Sequence, residues 1–447
     1  MTTLNRRNFL IQTTQAGIVG LGMISGTLLA NRAIDNVNTF QISRDQKRFL
    51  EDLRSRCYRY FIETADPITG LVPDRASFNR NAKSSYSSAA CCGFALASFA
   101  SAARSQWEDV GVAHASTLRL LTSLNTIAAH ENGFVYHFID CATGIRSPHS
   151  EASSIDTAIM LAGAMVAATT FSDDKNIVEL ANRLCDRIDW NWMLNGGNQF
   201  SMGWKPESGF LEARWDRFSE LTLLVLIAIG ARENSVSPDC WNAWRREDVI
   251  RHNGQSFLSY PPLFVHQYPH AFFDFKDFKS PSGRSYWENS VNAHLAQIEF
   301  MSELSKRYPD QLGHYGEDLW GLTSSDSAFG YRDWGGPYRQ GHFEPERGID
   351  GTIVPSAAAG GLPMVPQQAL KTLQYQKDTF GDQVYGHYGF INAFNPRTNW
   401  FGSDVIGIDT GITLLMTENL LNGSIWNQFM QHEIAQRGFE AAGFKKS

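Results

Sequence analysis

Three acidic residues stand at the starts of strongly apolar stretches. Asp156 lies in Ser153-Ser154-Ile155-Asp156-Thr157-Ala158, Glu220 in Phe218-Ser219-Glu220-Leu221, and Asp409 in Gly407-Ile408-Asp409-Thr410. Each has an ordinary structural explanation when taken alone. Ser153 and Asp156 have the Ser-x-x-acid spacing of a capping box. Asp409 suits an N-cap, and Glu220 suits a first-turn acid favoured by the helix dipole. Taken together they could do chemistry, provided the helices run parallel and their N-termini gather at one mouth. Glycoside hydrolysis needs such carboxyls: a protonated one donates to the leaving oxygen, and an ionised one activates water or attacks carbon. The apolar neighbours Phe218 and Leu221 would raise the pKa of Glu220, whereas a helix N-terminus favours the ionised form. Glu220 is therefore the candidate acid, and Asp156 or Asp409 the candidate base.

Other polar residues could line such a cleft. Asp74 and Arg75 follow the first helical stretch, and Glu151 lies five residues before Asp156. His266, Tyr268 and His270 form His-Gln-Tyr-Pro-His, Tyr331, Arg332 and Trp334 sit in a Gly-rich segment, and Asp350 opens Asp-Gly-Thr. The two histidines have the i,i+4 spacing of a metal pair, but Pro269 disfavours a regular helix there and no His-Glu-x-x-His is present. Hydrogen bonds to sugar hydroxyls fit them better than a metal, and bracing of the loop fits each of them equally well. No phosphate-binding Gly-x-x-x-x-Gly-Lys and no Gly-x-Ser-x-Gly elbow occurs, which disfavours nucleotide-dependent and serine-hydrolase chemistry.

Helices must position these groups. Apolar periodicity predicts them over about 44–64, 85–103, 113–129, 153–170, 175–189, 219–233, 287–306, 363–379, 410–421 and 425–442. The alternation of Phe134, Tyr136 and Phe138, with a turn at 142–144, predicts a β-hairpin over 131–146. Long loops rich in Gly, Pro and aromatics cover about 196–209, 256–282 and 320–361, and loops of that length are usually functional. No Pro/Ser linker interrupts the chain, so one domain is expected from about residue 40 to 447. The pattern is that of a helical bundle or an α/α toroid and does not choose between them.

The 447 residues are 43% hydrophobic, enough for a large core. The 12 Trp and 14 Tyr, apolar faces with polar edges, permit sugar stacking without demanding it. The formal charge of −7 comes without a basic stripe, which argues against nucleic acid as a partner. Residues 1–33 hold Arg6, Arg7 and Arg32, no acid, and a weakly apolar Gly-rich run too short for a good membrane span. Arg6-Arg7 before Phe9-Leu10 resembles a twin-arginine export signal, so the export machinery is an expected partner and a periplasmic or secreted location is expected. The six cysteines lack a Cys-x-x-Cys pair; an oxidising compartment would permit disulfides, but at this low density most read as buried thiols.

Several unusual strings resemble the bacterial glycoamylase-like family, which includes β-1,2-glucanases. They are FIETADPITGLVPDR (61–75), FVHQYPHAFFDF (264–275), GLTSSDSAFGYRDWGGP (321–337), DGTIVPSAAA (350–359), and the segments 388–396 and 406–409. The resemblance runs in order from about residue 45 to 444. It implies a mostly α-helical (α/α)6 toroid with long loops and small β-hairpins, and an exported enzyme without a cofactor. It also implies a β-glucan as substrate, foremost a β-1,2-linked one. Glu220 and Asp409 fall on acidic positions associated with the family's active site. Asp156 falls in an acid-Thr-Ala motif where relatives often carry Glu, and Thr410 stands where many have Gln. An inverting route is the expectation, with retaining or transglycosylating variants open. The rivals are a toroid enzyme on another glycan, such as a lyase or a glucanase of different linkage, and a non-catalytic envelope glycan-binding protein.

Overall fold

The computed structural model describes residues 40–260, 262–338 and 348–447. The twin-arginine-type segment 1–33 lies outside them. The described chain is mostly α-helical, with short antiparallel strand pairs between helices.

Two kinds of helix follow from two kinds of sequence. α1 (Arg44–Thr64) buries a stripe that includes Phe49, Leu53, Cys57 and Phe61, and opens with a full capping box between Ser43 and Gln46. α3 (Val110–Thr126) and α5 (Lys175–Asp186) are also striped. By contrast, α2 (Ala89–Ser105) and α4 (Ser154–Thr170) are apolar nearly all round, and every residue of α6 (Leu221–Gly230) is buried. A helix hydrophobic on all sides belongs inside, and a striped one belongs on the outside with its stripe inward. The contacts obey this rule. α2 packs between α4 and α11 (Gly407–Leu421), while α1 covers α11 and α2, α3 covers α2, and α5 covers α4. α12 (Glu433–Ala441) covers α6.

Glycines allow the inner backbones to touch. A β-carbon on Gly163 of α4 would collide with the Gly93 carbonyl of α2, and one on Gly93 with the Ile159 carbonyl. Gly230 and Gly438 make the same kind of contact between α6 and α12.

The strands sit at helix entrances. β1 (Arg75–Ser77) pairs with β7 (Asp404–Ile406), with Arg75 opposite Ile406, and β7 runs straight into α11. β2 (Tyr86–Ser88) pairs with β3 (Phe138–Asp140) and runs into α2. β4 (Ala152–Ser153), paired through β5 (Gly203–Lys205) to β6 (Gly209–Phe210), runs into α4.

The expected hairpin over 131–146 is rearranged. Its tight turn falls at Asn132-Gly133, both at positive φ, between His130–Glu131 and Phe134–Val135. The turn near Gly144 exists, closed by an Ile139–Arg146 bridge and by the Gly144 amide donating to the Asp140 carbonyl at 2.8 Å, while β3 gives its main pairing to β2. The helix expected from 425 is two pieces, Ser424–Phe429 and α12, with His432 accepting from the Ile434 amide at the second start. All six cysteines are buried and unpaired. Among the described residues no helix is long and apolar enough to cross a membrane.

Candidate active site

The entrances of α2, α4, α6 and α11 converge on one cavity of about 450 Å³. Asp156, Glu220 and Asp409 line it together, with Asp74, Arg75, His137, Tyr268 and Tyr331. Tyr268 opens the short helix α7 (Tyr268–Phe272).

Glu220 immediately precedes α6, yet its side chain makes no capping bond. The capping account therefore does not explain it. It is only 8% exposed among apolar residues. Burial, joined by the charges of Asp156 and Asp333, pushes its carboxyl up to about 8. A group so placed keeps its proton at neutral pH.

Asp409 is the third residue of α11, and Ile406, not Asp409, occupies the N-cap position. Ser356 Oγ donates to its Oδ1 at 3.0 Å and Asn392 Nδ2 to its Oδ2 at 2.6 Å. Ser356 belongs to α9 (Pro355–Ala359). Burial nevertheless outweighs these bonds and the nearby Arg75, and holds the carboxyl at about 7.

Asp156 does take part in a cap: Ser153 Oγ donates to its Oδ2 at 2.5 Å and accepts from its amide at 3.3 Å. It also faces His137, whose Nε2 is 3.8 Å from Oδ1. His137 Nδ1 lies 3.0 Å from Glu151 Oε1, and its ring stacks on Phe138. Burial alone would lower this histidine, but Asp156 and the Glu151 bond outweigh it and hold the imidazolium up to about 9. Glu151 is thus a support behind His137 and does not line the cavity. The main chain fixes the arrangement. His137 donates its amide to the Glu151 carbonyl at 2.8 Å and accepts from the Ala89 amide at 3.1 Å, joining the entrances of α2 and α4.

Arg75 bridges three carboxylates: Asp74 at 3.2 Å, Asp326 at 2.9 Å and Asp404 at 3.5 Å. Burial pushes Asp74 up despite this partner. The Asp326 amide donates to Asn392 Oδ1 at 2.9 Å, so Asn392 links the 324–332 turn to Asp409. Tyr331, 59% exposed, stands on that turn at the cavity mouth.

The remaining expected residues lie elsewhere. His266 and His270 are buried and share Ser290 of α8 (Tyr286–Arg307), at 3.1 and 2.9 Å, where they brace the segment rather than line the cavity. Trp334 is 3% exposed in the core and presents no free face. Arg332 is exposed and pairs main chain with Ser325. Asp350 holds its own turn by accepting from the Thr352 amide at 3.0 Å and hydroxyl at 2.7 Å. Sequence reading missed His137, Asp326, Asp404, Ser356 and Asn392. Asp326, Ser356 and Asn392 lay inside the family-like strings, but His137 and Asp404 carried no local signal.

A second cavity of about 680 Å³ adjoins the first, and Glu220 and Phe264 line both.

Residues 212–433 match the Glycoamylase family model, so this stretch of the chain is glycoamylase-like. Its fold is similar to that of an endo-β-1,2-glucanase from Chitinophaga pinensis in complex with sophorotriose and glucose: TM-score 0.81, 22% identity, covering 91% of this chain and 99% of that one. A β-1,2-glucanase from Parabacteroides distasonis is similar at TM-score 0.79 and 21% identity, over 90% of this chain and 60% of that one. An exo-β-1,2-glucooligosaccharide sophorohydrolase (non-reducing end) of Parabacteroides distasonis is 23% identical over 449 aligned residues, 91% of this chain. This chain spans 59% of that curated relative's length.

Proposed function

We propose that the protein is a glycoside hydrolase that cleaves β-1,2-glucan by carboxylic acid catalysis. The observation that carries this reading is Glu220, a buried carboxyl that keeps its proton near neutrality and shares one cavity with Asp409 and Asp156. Glu220 donates its proton to the departing oxygen. Asp409, oriented by Ser356 and Asn392, removes a proton from the attacking water, and the reaction inverts the anomeric carbon. Asp156, beside the His137 imidazolium, is the alternative base. The β-1,2 linkage is supported by the names of the similar proteins, which include both endo and exo enzymes.

The packing of apolar inner helices under striped outer ones supports an (α/α)6 toroid over a single domain from about residue 40. An exported, periplasmic or secreted enzyme, delivered through the twin-arginine route, completes the proposal on the strength of Arg6-Arg7.

The deciding experiment incubates the protein with linear β-1,2-glucan and, separately, with β-1,3-, β-1,4-, β-1,6- and α-glucans. New reducing ends from the β-1,2 chain alone are expected. Cleavage of a different glucan moves the substrate and keeps the acids. Silence on all of them sinks the hydrolase reading. Nuclear magnetic resonance of the first-formed anomer tests inversion, which a product of retained configuration would exclude.

A further inference from the structure

Within the His-Gln-Tyr-Pro-His string, Tyr268 lines the cavity, while Gln267 and both histidines are buried behind it. Gln267 is 1% exposed and stands between His294 of α8 and the one-turn helix α9. Its Nε2 is 2.7 Å from the Ala357 carbonyl and 3.1 Å from His294 Nε2. His294 Nδ1 is 2.7 Å from the Ser290 carbonyl.

Counting protons gives each of these bonds a direction. A carbonyl can accept but not donate, so Gln267 turns its NH2 toward Ala357, and His294 carries its proton on Nδ1. His294 Nε2 is then a bare lone pair, which accepts the second amide hydrogen of Gln267. His266 and His270 face this ring, and burial keeps all three imidazoles neutral. Glycines complete the fit. A β-carbon on Gly360 would collide with the Gln267 amide, and one on Gly361 would lie 2.7 Å from the His294 ring.

α9 needs an anchor of this kind. A helix leaves its last four carbonyls without intrahelical partners, and α9 is only one turn long. Gln267 takes the carbonyl of Ala357. The residue before Ala357 is Ser356, whose hydroxyl donates to Asp409 Oδ1 at 3.0 Å. We infer that Gln267 is a positioning residue for the base: it anchors α9 so that Ser356 meets Asp409, and His294 fixes the direction of its amide. The inference rests on Asp409 acting as the base in the glycosidase reading above.

The test is the pH profile of Gln267→Met on β-1,2-glucan, a change that keeps the side chain's length and removes its hydrogen bonds. Arg75, Asp326, Tyr331 and Tyr268 also face Asp409, and Tyr268 adjoins Gln267, so Ser356→Ala is the control. In Gln267→Met, kcat at pH 7 should fall ~10-fold, while KM changes less than ~3-fold, because Gln267 does not line the cavity. The acid limb should move up by ~0.5–1 pH unit as Asp409 loses a donor, and the alkaline limb, which belongs to Glu220, should stay. Combining Gln267→Met with Ser356→Ala should move the acid limb no further than Ser356→Ala alone. A folded Gln267→Met protein with the parent acid limb, or two shifts that add, overturns the inference. If Gln267→Met fails to fold, nitrogen-15 NMR of the parent protein decides. His294 should be protonated on Nδ1 and bare on Nε2 at pH 7, and the opposite tautomer overturns the inference. If no glucan is turned over, the hydrolase reading fails, and the Asp409 carboxyl titration, followed by carbon-13 NMR, replaces the acid limb. The same upward shift is expected in Gln267→Met, and an unchanged titration overturns the inference.

Discussion

Glu220 and Asp409 are both carboxyls at helix beginnings, but their surroundings differ in the way the proposed acid and base would require. Glu220 has apolar neighbours and no side-chain donor among the described residues, whereas Asp409 receives two donors aimed at its two oxygens. A group that must lose its proton to the leaving oxygen needs the first environment, and a group that must stay aligned as a base needs the second. Glu220→Gln should therefore cost at least ~100-fold in kcat on a substrate with a poor leaving group. Near-normal turnover would remove Glu220 from the donor role. The pH profile follows by sign. The base must be ionised, so kcat/KM rises as pH climbs through about 7, and the acid must be protonated, so it falls as pH passes about 8. A narrow bell between those limbs is expected, belonging to the pair as a whole. An acid limb that stays flat down to pH 5 would remove Asp409 from the base role.

At the scale of elements, the site depends on how closely the inner helices approach. Gly163→Ala puts a methyl group into the Gly93 backbone, which cannot yield as a flexible side chain can. A destabilisation of about 1–3 kcal/mol or more is expected in urea unfolding. An unchanged midpoint would show that α2 and α4 can move apart freely. The helices and their cavity-facing starts were legible in the sequence because apolar runs of helical length leave few alternatives. Glu220, Asp156 and Asp409 could be read as a set for the same reason. The supporting polar shell was not legible. Arg75 and Asp404 are 329 residues apart, so no local spacing announces such a pair. His266 and His270 misled for a related reason: their spacing looked functional, but Ser290 on another helix claims both.

For the whole molecule, the site sets a cost that varies with pH. The folded-state pKa of Glu220 is raised, so the folded protein binds its proton more tightly than the unfolded chain. That contribution to stability is complete below the unfolded value, about 4.5, and is lost as pH rises through about 8. The buried histidines act in the opposite direction. Burial lowers His270 to about 3 and His294 to about 4, so stability is lost as pH falls below the unfolded value near 6.5. Maximal stability is expected between these two losses. Glu220→Gln should melt higher than the parent protein at pH 9, by a margin that shrinks toward pH 5. An equal margin at both pH values would mean that the charge of Glu220 is not what strains the fold.

The pairing of Arg75–Ser77 with Asp404–Ile406 has a consequence in time as well as in space. The strand that follows the first helix and the strand that runs into α11 share a single short ladder, with the Gly407 amide donating to the Asp74 carbonyl at 2.7 Å. A nascent chain emerging from the ribosome carries Asp74, Asp156 and Glu220 long before it carries Asp409. Until the final segment arrives, the early acids have no partner across the cavity, and α1 and α2 lack the helix they pack against. Completion of the cavity thus waits for residues 404–409, and a chain that stops short of residue 404 yields incomplete walls.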